Sequence, residues 1–226
     1  MASIVEPQKS RLAWKQDAPH RILLHNISWN LYEQIREEES NWGLRMSYDD
    51  GDLEIMSPSQ SHGEIEARFG IFLMELADVL DFPCKVVGNT TWKKPWARKA
   101  KEADGSYYLA NYLRVRHKKI DLNVDPPPDL AVEVEISRSV LNALDIYAAI
   151  GVPEIWRFDG EVFHIHQRQA DGTYLEMNRS EALPFVRPDE VVYWMSRAEE
   201  MDDDMAWKRE VREWARAVLV PRLEQP

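Results

Sequence analysis

Apolar residues recur along the chain with two different periods, and each period predicts one kind of element. A spacing of three to four residues predicts an amphipathic helix after residue 60, with Ser61 or a neighbour as its N-cap. Its apolar face would consist of Ile65, Phe69, Phe72, Leu76 and Leu80. Further helices are predicted over 28–40, with Ser28 as N-cap, and over 137–151, 188–199 and 202–220.

Alternation of apolar and polar residues predicts the strands between these helices. They are two strands within 43–58, one each over 84–92, 104–111 and 125–137, a hairpin over 152–168 and one strand near 173–180. The hairpin would turn at Asp159 and Gly160. Residues 93–103 are polar and basic, which predicts a loop. The order of elements predicts a mixed α/β fold in which helices cover a sheet.

The character of the chain changes at two points. Residues 1–27 show no clear period and predict an irregular N-terminal lead, residues 28–180 predict one α/β domain, and residues 181–226 predict a C-terminal helical extension. In the last helix one stripe is formed by Trp207, Val211, Trp214 and Val218. Three roles fit this Trp-rich helix: packing on the domain, which is the default, the face of a homodimer, or a contact with nucleic acid.

Composition narrows the class of protein. The 226 residues are 44% hydrophobic and include nine Trp, which is enough to build a core. A net charge of -11 argues against a broad basic surface for nucleic acid, although a local one stays open. The single cysteine, Cys84, excludes an internal disulfide and a cysteine-based zinc cluster. No apolar run has the length of a membrane span or a signal peptide, so a cytoplasmic location is expected.

One predicted strand carries carboxylates where a central strand would carry apolar side chains. It lies in the stretch DPPPDLAVEVEIS, residues 125–137, and alternation places Asp129, Glu133 and Glu135 on one face. A half-exposed strand would explain this pattern. However, a strand followed by a helix and another strand is usually buried on both faces, where a carboxylate needs a partner such as a divalent cation.

Distances along the strand select among these acids. Glu133 and Glu135 lie about 7 Å apart at Cα and can reach one site, whereas Asp129 lies about 13 Å from Glu133 and is expected to order the start of the strand. A further ligand is expected from a neighbouring strand. Asp104 is the first choice and Asp121 the second.

Two pairs of residues with ligand chemistry lie elsewhere. His62 and Glu66 are four residues apart on one face of the long helix and could flank a metal site, although a solvated pair near the helix end is favoured. His164 and His166 alternate on one strand face. Their spacing permits metal binding, but a polar outer face of the hairpin is favoured.

Three stretches together resemble the Uma-type restriction endonucleases. They are GDLEIMSPSQSHGEIEARFGIFL, EADGSYYL and PPPDLAVEVEISRSVLNALDIYAAIGVPEIWRFDG, in this order within roughly residues 28–168. This family is similar in fold to the PD-(D/E)xK nucleases. The resemblance implies a restriction-endonuclease-like mixed sheet flanked by helices, Mg²⁺ (or Mn²⁺) held by Asp104 and Glu133, and hydrolysis of phosphodiester bonds in DNA.

The chain departs from the family pattern at its basic residue. Glu135 stands where the superfamily has a lysine, and Ala143 or a neighbour stands where the family often has one on the next helix. Glu135 would instead hold a second ion or accept a proton from water. Candidate replacements for the lysine are Lys93, Lys94, Lys118 and Lys119, with no positional argument for any of them. The RKAK segment, 98–101, is expected to be a solvated loop first and a phosphate contact second.

Two other functions stay open at this point. One is a catalytically silent nuclease fold that binds a partner or nucleic acid, which the acid at the lysine position favours. The other is a metal-dependent phosphodiesterase with a small substrate, which the acidic net charge favours over bulk duplex DNA.

Overall fold

Eleven strands form two sheets in the part of the chain that this computed structural model describes, residues 19–137 and 139–224. The strands are β1 His20–Leu24, β2 Arg45–Asp49, β3 Asp52–Ser57, β4 Lys85–Val86, β5 Thr91–Lys94, β6 Lys99–Glu102, β7 Gly105–Tyr108, β8 Leu130–Val134, β9 Glu154–Phe158, β10 Phe163–Arg168 and β11 Tyr174–Met177. The helices are α1 Trp29–Glu37, α2 Gln60–Leu80, α3 Tyr112–Val115, α4 Ala143–Ile150, α5 Pro188–Glu200, α6 Asp204–Trp214 and α7 Val220–Leu223.

The first sheet is antiparallel, with the strand order β1-β3-β2-β6-β5. Strands β2 and β3 form the hairpin that the sequence predicts within 43–58. Asp49 pairs with Asp52, so Asp50 and Gly51 are the two turn residues, and both have positive φ, at 43° and 110°. Positive φ at both central positions gives the turn whose twist matches that of the strands.

The second sheet has the order β11-β10-β9-β8-β7-β4. Strands β8 and β9 are parallel and are joined through α4, while the other neighbours are antiparallel. All five residues of β8 are buried. The central position of this strand is therefore confirmed, and with it the mixed α/β fold in which helices cover sheets.

Helix α4 begins later than the apolar pattern predicts. Its N-cap is Asn142, whose side chain accepts a hydrogen bond from the amide of Leu144. The residues before it are held by the buried carboxylate of Glu54, which accepts hydrogen bonds from the Ser139 hydroxyl at 2.8 Å and from the Val140 amide at 2.6 Å. These bonds to a side chain of the other sheet hold residues 139 and 140 outside the helix, which local propensity cannot predict.

Two expectations about irregular segments are wrong. Residues 93–103 are not a loop, because β5 and β6 form a hairpin there and β6 also pairs with β2. Within the predicted lead, residues 20–24 form β1, which pairs along its whole length with β3. Residues 1–18 lie outside the described residues. Both segments are ordered by pairing with distant strands, and polar composition alone does not indicate such pairing.

The C-terminal helices share a hydrophobic core with the sheet. Side chains of α5 and α6 join those of α2 and of β8 to β10 in one buried cluster. Trp207 of α6 is fully buried, and its indole N–H donates a 2.8 Å hydrogen bond to the carbonyl of Trp194 in α5. The default expectation for this helix, packing on the domain, is confirmed.

The buried stripe of the last helix shifts near its end. Trp207 and Val211 are buried as the pattern predicts, but Val218 is 38% exposed and Ala215 and Leu219 are buried in its place. A π-helical segment, Ala215–Leu219, follows α6 directly. A π turn contains more residues than an α turn, so it rotates the following side chains relative to the core.

Replacing Trp207 by alanine is expected to lower the free energy of unfolding by about 3–5 kcal/mol, because the change empties a fully buried aromatic site. Trp96 provides the matched control, since it is 76% exposed, and Trp96→Ala is expected to change stability by less than about 0.5 kcal/mol. Urea unfolding of both variants measures the difference. Equal effects would show that α6 contributes nothing to the core.

Candidate metal centre

Two predicted acids meet where the central strands of the second sheet lie side by side. Asp104 directly precedes β7 and Glu133 lies in β8, and these strands pair so that Gly105 is opposite Val132. Asp104 is 3% exposed and Glu133 is 5% exposed. The Asp104 Oδ2 atom accepts a 2.8 Å hydrogen bond from the Val134 amide. The tertiary structure thus brings together Asp104 and Glu133, the two acids that are expected from the sequence to hold one ion.

A buried lysine lies beside these acids. The Lys101 Nζ atom, from β6 of the other sheet, is 2.8 Å from Glu133 Oε2, and Lys101 is 9% exposed. The other oxygen, Glu133 Oε1, accepts a hydrogen bond from the Tyr147 hydroxyl of α4. Both carboxylate oxygens of Glu133 therefore have donors.

Lys101 is the residue that sequence reasoning missed. It belongs to the RKAK segment, which was expected to be solvated first. Three of the four lysines suggested as replacements bond elsewhere: Lys93 to Glu33, Lys94 to the Leu122 carbonyl and Lys118 to Asp125. The sequence of this segment carries no clear signal for a strand, because Lys101 and Glu102 are consecutive charged residues and β6 is defined by its pairing with β2 and β5.

Helix α2 adds an imidazole and a third carboxylate. Its N-cap is Ser59, whose hydroxyl accepts a hydrogen bond from the His62 amide and which lies two residues before Ser61, where the sequence predicts the cap at Ser61 or a neighbour. His62 is fully buried, and its Nε2 atom is 3.3 Å from Asp104 Oδ2. His62, Glu66 and Asp104 each offer a ligand atom, and these atoms lie within 4.8 Å of one another. The solvated interpretation of His62 is wrong.

The donors of this group match a divalent cation. Neither ring nitrogen of His62 makes a well-aligned hydrogen bond to a described residue, which is unusual for a buried imidazole. Arg45 donates to Glu66 Oε2 at 3.1 Å and lies 3.8 Å from Asp104 Oδ1, so one guanidinium offsets part of the negative charge. Imidazole and carboxylate ligands together suit Mn²⁺, and carboxylates suit Mg²⁺.

Burial and charge separate the pKa values of the two central acids. Burial raises the pKa of Glu133 to about 7, although Lys101 opposes the shift. Burial would also raise the pKa of Asp104, but His62 and Lys101 outweigh it and lower that pKa. The Glu133 and Asp104 carboxylates overcome burial and raise the pKa of Lys101. At neutral pH the site thus contains an ionised Asp104, a protonated Lys101 and a Glu133 carboxyl group that is near the midpoint of its titration.

Glu135 lies at the margin of the same site. It lines a cavity of about 20 Å³ together with Lys101, Asp104 and Glu133, which is space for about one water molecule or ion. Its carboxylate, however, pairs with the Arg157 guanidinium of β9, with a 3.1 Å bond from Nε to Oε1. Glu135 therefore borders the cavity but faces a cation of the protein itself.

The remaining predicted acids have local tasks. Asp129 accepts hydrogen bonds from the amides of Leu109 and Asn111, at 2.8 and 2.9 Å, and so fixes the start of β8. Asp121 accepts from the backbone and side chain of Asn123 within its own loop. Neither belongs to the group of ligand atoms around Asp104.

The two packed sheets with flanking helices, and acids meeting on adjacent central strands, define a restriction-endonuclease-like α/β protein. The sequence model of the family Uma2, described as "Putative restriction endonuclease", matches residues 29–199. The chain therefore belongs to the Uma2 family. The match continues through β11 into α5, beyond the segment that carries the visible resemblance.

A search of curated proteins finds no significant match to the chain. Among the described residues, the helices lack either the length or the apolar character that crossing a bilayer requires.

Proposed function

We propose that this protein is a metal-dependent endonuclease that hydrolyses phosphodiester bonds of DNA. One observation carries the proposal: Asp104, Glu133 and Lys101 are buried around one small cavity, with the Lys101 Nζ atom 2.8 Å from Glu133. Hydrolysis of a phosphodiester requires acids that hold a divalent cation and a positive group that stabilises charge on the phosphate oxygens. Buried acids beside an ammonium can supply both. Membership of the Uma2 family supports a nuclease and, through it, DNA as partner.

Asp104 and Glu133 would hold Mg²⁺ or Mn²⁺, and His62 and Glu66 of α2 complete the set of donors near Asp104. When bound, the cation polarises a phosphodiester and lowers the pKa of bound water. Arg45 keeps Glu66 in place through their 3.1 Å ion pair. The donors thus come from α2, from β8 and from Asp104, which directly precedes β7.

Lys101 supplies the positive charge that the family pattern places elsewhere. Its ammonium group stays protonated because Glu133 and Asp104 raise its pKa. A buried ammonium stabilises negative charge that develops on phosphate oxygens, and it does so strongly because water is excluded. Glu135, which also lines the cavity, would accept the proton of the attacking water once Arg157 no longer holds its carboxylate.

A catalytically silent binding module is the second candidate, and one observation favours it. Both oxygens of Glu133 already have partners, Lys101 and Tyr147, so this carboxylate is compensated without a cation. A protein of this kind would keep the fold and a binding surface without turnover.

Cleavage of supercoiled plasmid separates the candidates. The wild-type protein is expected to nick DNA with Mg²⁺ or Mn²⁺ and to stop in EDTA, and Glu133→Gln is expected to lose about 100-fold or more of the rate. Glu64→Gln is the matched control, because Glu64 is exposed on α2 and its carboxylate accepts a hydrogen bond from the exposed Gln60 side chain. Equal cleavage by wild type and Glu133→Gln would identify a contaminating nuclease, and no cleavage despite saturable Mn²⁺ binding would favour the silent module.

A further inference from the structure

A second group of ligand side chains lies on the outer strands of the six-stranded sheet, and of the residues assigned to hydrolysis only Glu135 borders the same cavity. His164 and His166 of β10 point to one face, because they are two residues apart. Their rings are 6.2 Å apart at an interplanar angle of 27°. Glu176 of β11 is the register partner of His166, and its Oε1 atom is 2.8 Å from His164 Nδ1. Three groups with metal-ligand chemistry therefore share one patch.

The inner histidine of this patch has one ring nitrogen without a hydrogen bond to any described residue. His166 is 9% exposed, and its buried Nε2 atom makes no hydrogen bond to a described residue. An orphaned polar atom at such depth costs free energy that a ligand can return. His166 also lines an open cavity of about 480 Å³ together with His164 and Glu176, so a ligand can reach the group from solvent.

The charges around this cavity favour a cation over an anion. Glu135, Asp159 and Glu176 border it, whereas Arg157 is its only permanently charged basic residue among the described lining. Arg157 is already compensated by Glu135 through their ion pair. The net negative charge that remains would repel a phosphate group and attract a metal ion.

We propose that His164, His166 and Glu176 form a binding site for a zinc-class dication, separate from the site around Asp104. Two imidazoles and one carboxylate are a common ligand set for Zn²⁺, with a fourth position left for water. The 2.8 Å contact between His164 and Glu176 is a hydrogen bond, and these two atoms would have to move apart to bind one ion, because tetrahedral Zn–N and Zn–O bonds of about 2.0–2.2 Å place ligand atoms about 3.4 Å apart.

Completion of the site requires movement of its outer side chains. Among the described residues, three ligand atoms already lie within 4.8 Å of one another at His62, Glu66 and Asp104, and the outer group is wider. The His164 side chain is 36% exposed and the Glu176 side chain 60% exposed, so both can rotate toward the fixed His166. The bound ion would join β11, an edge strand of four residues, to β10. This proposal does not depend on nuclease activity.

Titration of the full chain with Zn²⁺ by calorimetry tests the site, with Co²⁺ absorption as a second readout for nitrogen ligands. His166→Gln is expected to weaken one binding event about tenfold or more, and His164→Gln to do the same. His25→Gln is the matched control. His25 is an exposed residue directly after β1, and its Nδ1 atom also lies 2.8 Å from a carboxylate, that of Asp52. It therefore represents a single histidine–carboxylate pair.

Three results would overturn the proposal. They are the absence of saturable Zn²⁺ binding, equal weakening by His25→Gln and His166→Gln, and loss of all Zn²⁺ binding in His62→Gln, which would assign the ion to the inner group alone. Retention of one binding event in His62→Gln together with its loss in the His62→Gln, His166→Gln double variant would support it. Circular dichroism of each variant establishes that the fold is kept.

Discussion

Asp104→Asn is expected to lower metal-dependent cleavage of DNA by about 1000-fold. Asp104 is the carboxylate that connects the two halves of the site: it belongs to the group with His62 and Glu66, and it lies beside Glu133 across the β7–β8 pair. Asparagine keeps an oxygen that can accept the bond from the Val134 amide, so the fold should tolerate the change. Loss of activity would then reflect loss of the negative charge.

Initial rates on supercoiled plasmid and calorimetric titration with Mn²⁺ measure this effect together. Both the rate and the affinity for Mn²⁺ should fall in the Asp104→Asn protein. If the rate falls while Mn²⁺ binds as before, Asp104 acts on the reaction without holding the ion. If neither changes, the cation is held elsewhere and the proposed site is wrong.

Lys101→Met is expected to lower cleavage by about 100-fold and to destabilise the fold. The first effect follows from removal of the ammonium that faces the cavity. The second follows because Glu133 stays buried without its 2.8 Å partner, and breaking one side of a buried ion pair costs about 3–5 kcal/mol. The raised pKa of Glu133 reduces this cost, because the carboxyl can take up a proton near neutral pH.

A second substitution separates the structural role of Lys101 from its role in hydrolysis. In the Lys101→Met, Glu133→Gln double variant both charges of this ion pair are removed. The new side-chain amide at position 133 can still accept a hydrogen bond from the Tyr147 hydroxyl. Urea unfolding should show that much of the lost stability returns, whereas cleavage should stay absent. Wild-type cleavage by Lys101→Met would instead limit this lysine to neutralising Glu133.

The membership of the chain in the Uma2 family changes how its missing lysine is understood. The resemblance implies a lysine at the position of Glu135 and often one on the next helix, at the position of Ala143 or a neighbour. The structure places Lys101 next to Glu133 from a strand of the other sheet. The effect of a positive charge depends on where its nitrogen lies and not on which segment carries it, and an ammonium lies beside Glu133 although Glu135 stands where the resemblance implies the lysine.

Patterns that depend on neighbouring residues were predictable from the sequence. The Ser28 cap and the β2–β3 hairpin each follow from one side chain or a short dihedral preference, and the structure has both. The hairpin of β9 and β10 also forms as predicted, but four residues, 159–162, join its strands and not the two-residue turn expected at Asp159 and Gly160. The alternation within β8 likewise placed Glu133 on a buried polar face beside Asp104. These features need only a few residues of chain to be specified.

Features that depend on distant pairing were not predictable in the same way. Part of the 93–103 segment is a strand because β6 pairs with β2, which lies about fifty residues earlier in the chain. In this pairing Ser47 is opposite Lys101. The start of α4 is delayed because Glu54 holds the preceding residues. A strand that is stabilised by its partners carries little information in its own sequence. The polar composition of such a segment therefore predicts a loop.

By itself, the sequence determined the class of fold, the central strand and the two acids that would meet, because periodicity and turn chemistry act over short distances. Only the tertiary structure decided which basic and imidazole groups join those acids. Lys101 comes from the other sheet and His62 from a helix, so the packing of these elements sets their distances to Asp104 and Glu133. Because all four side chains are buried, the charge state of each depends on the positions of the others.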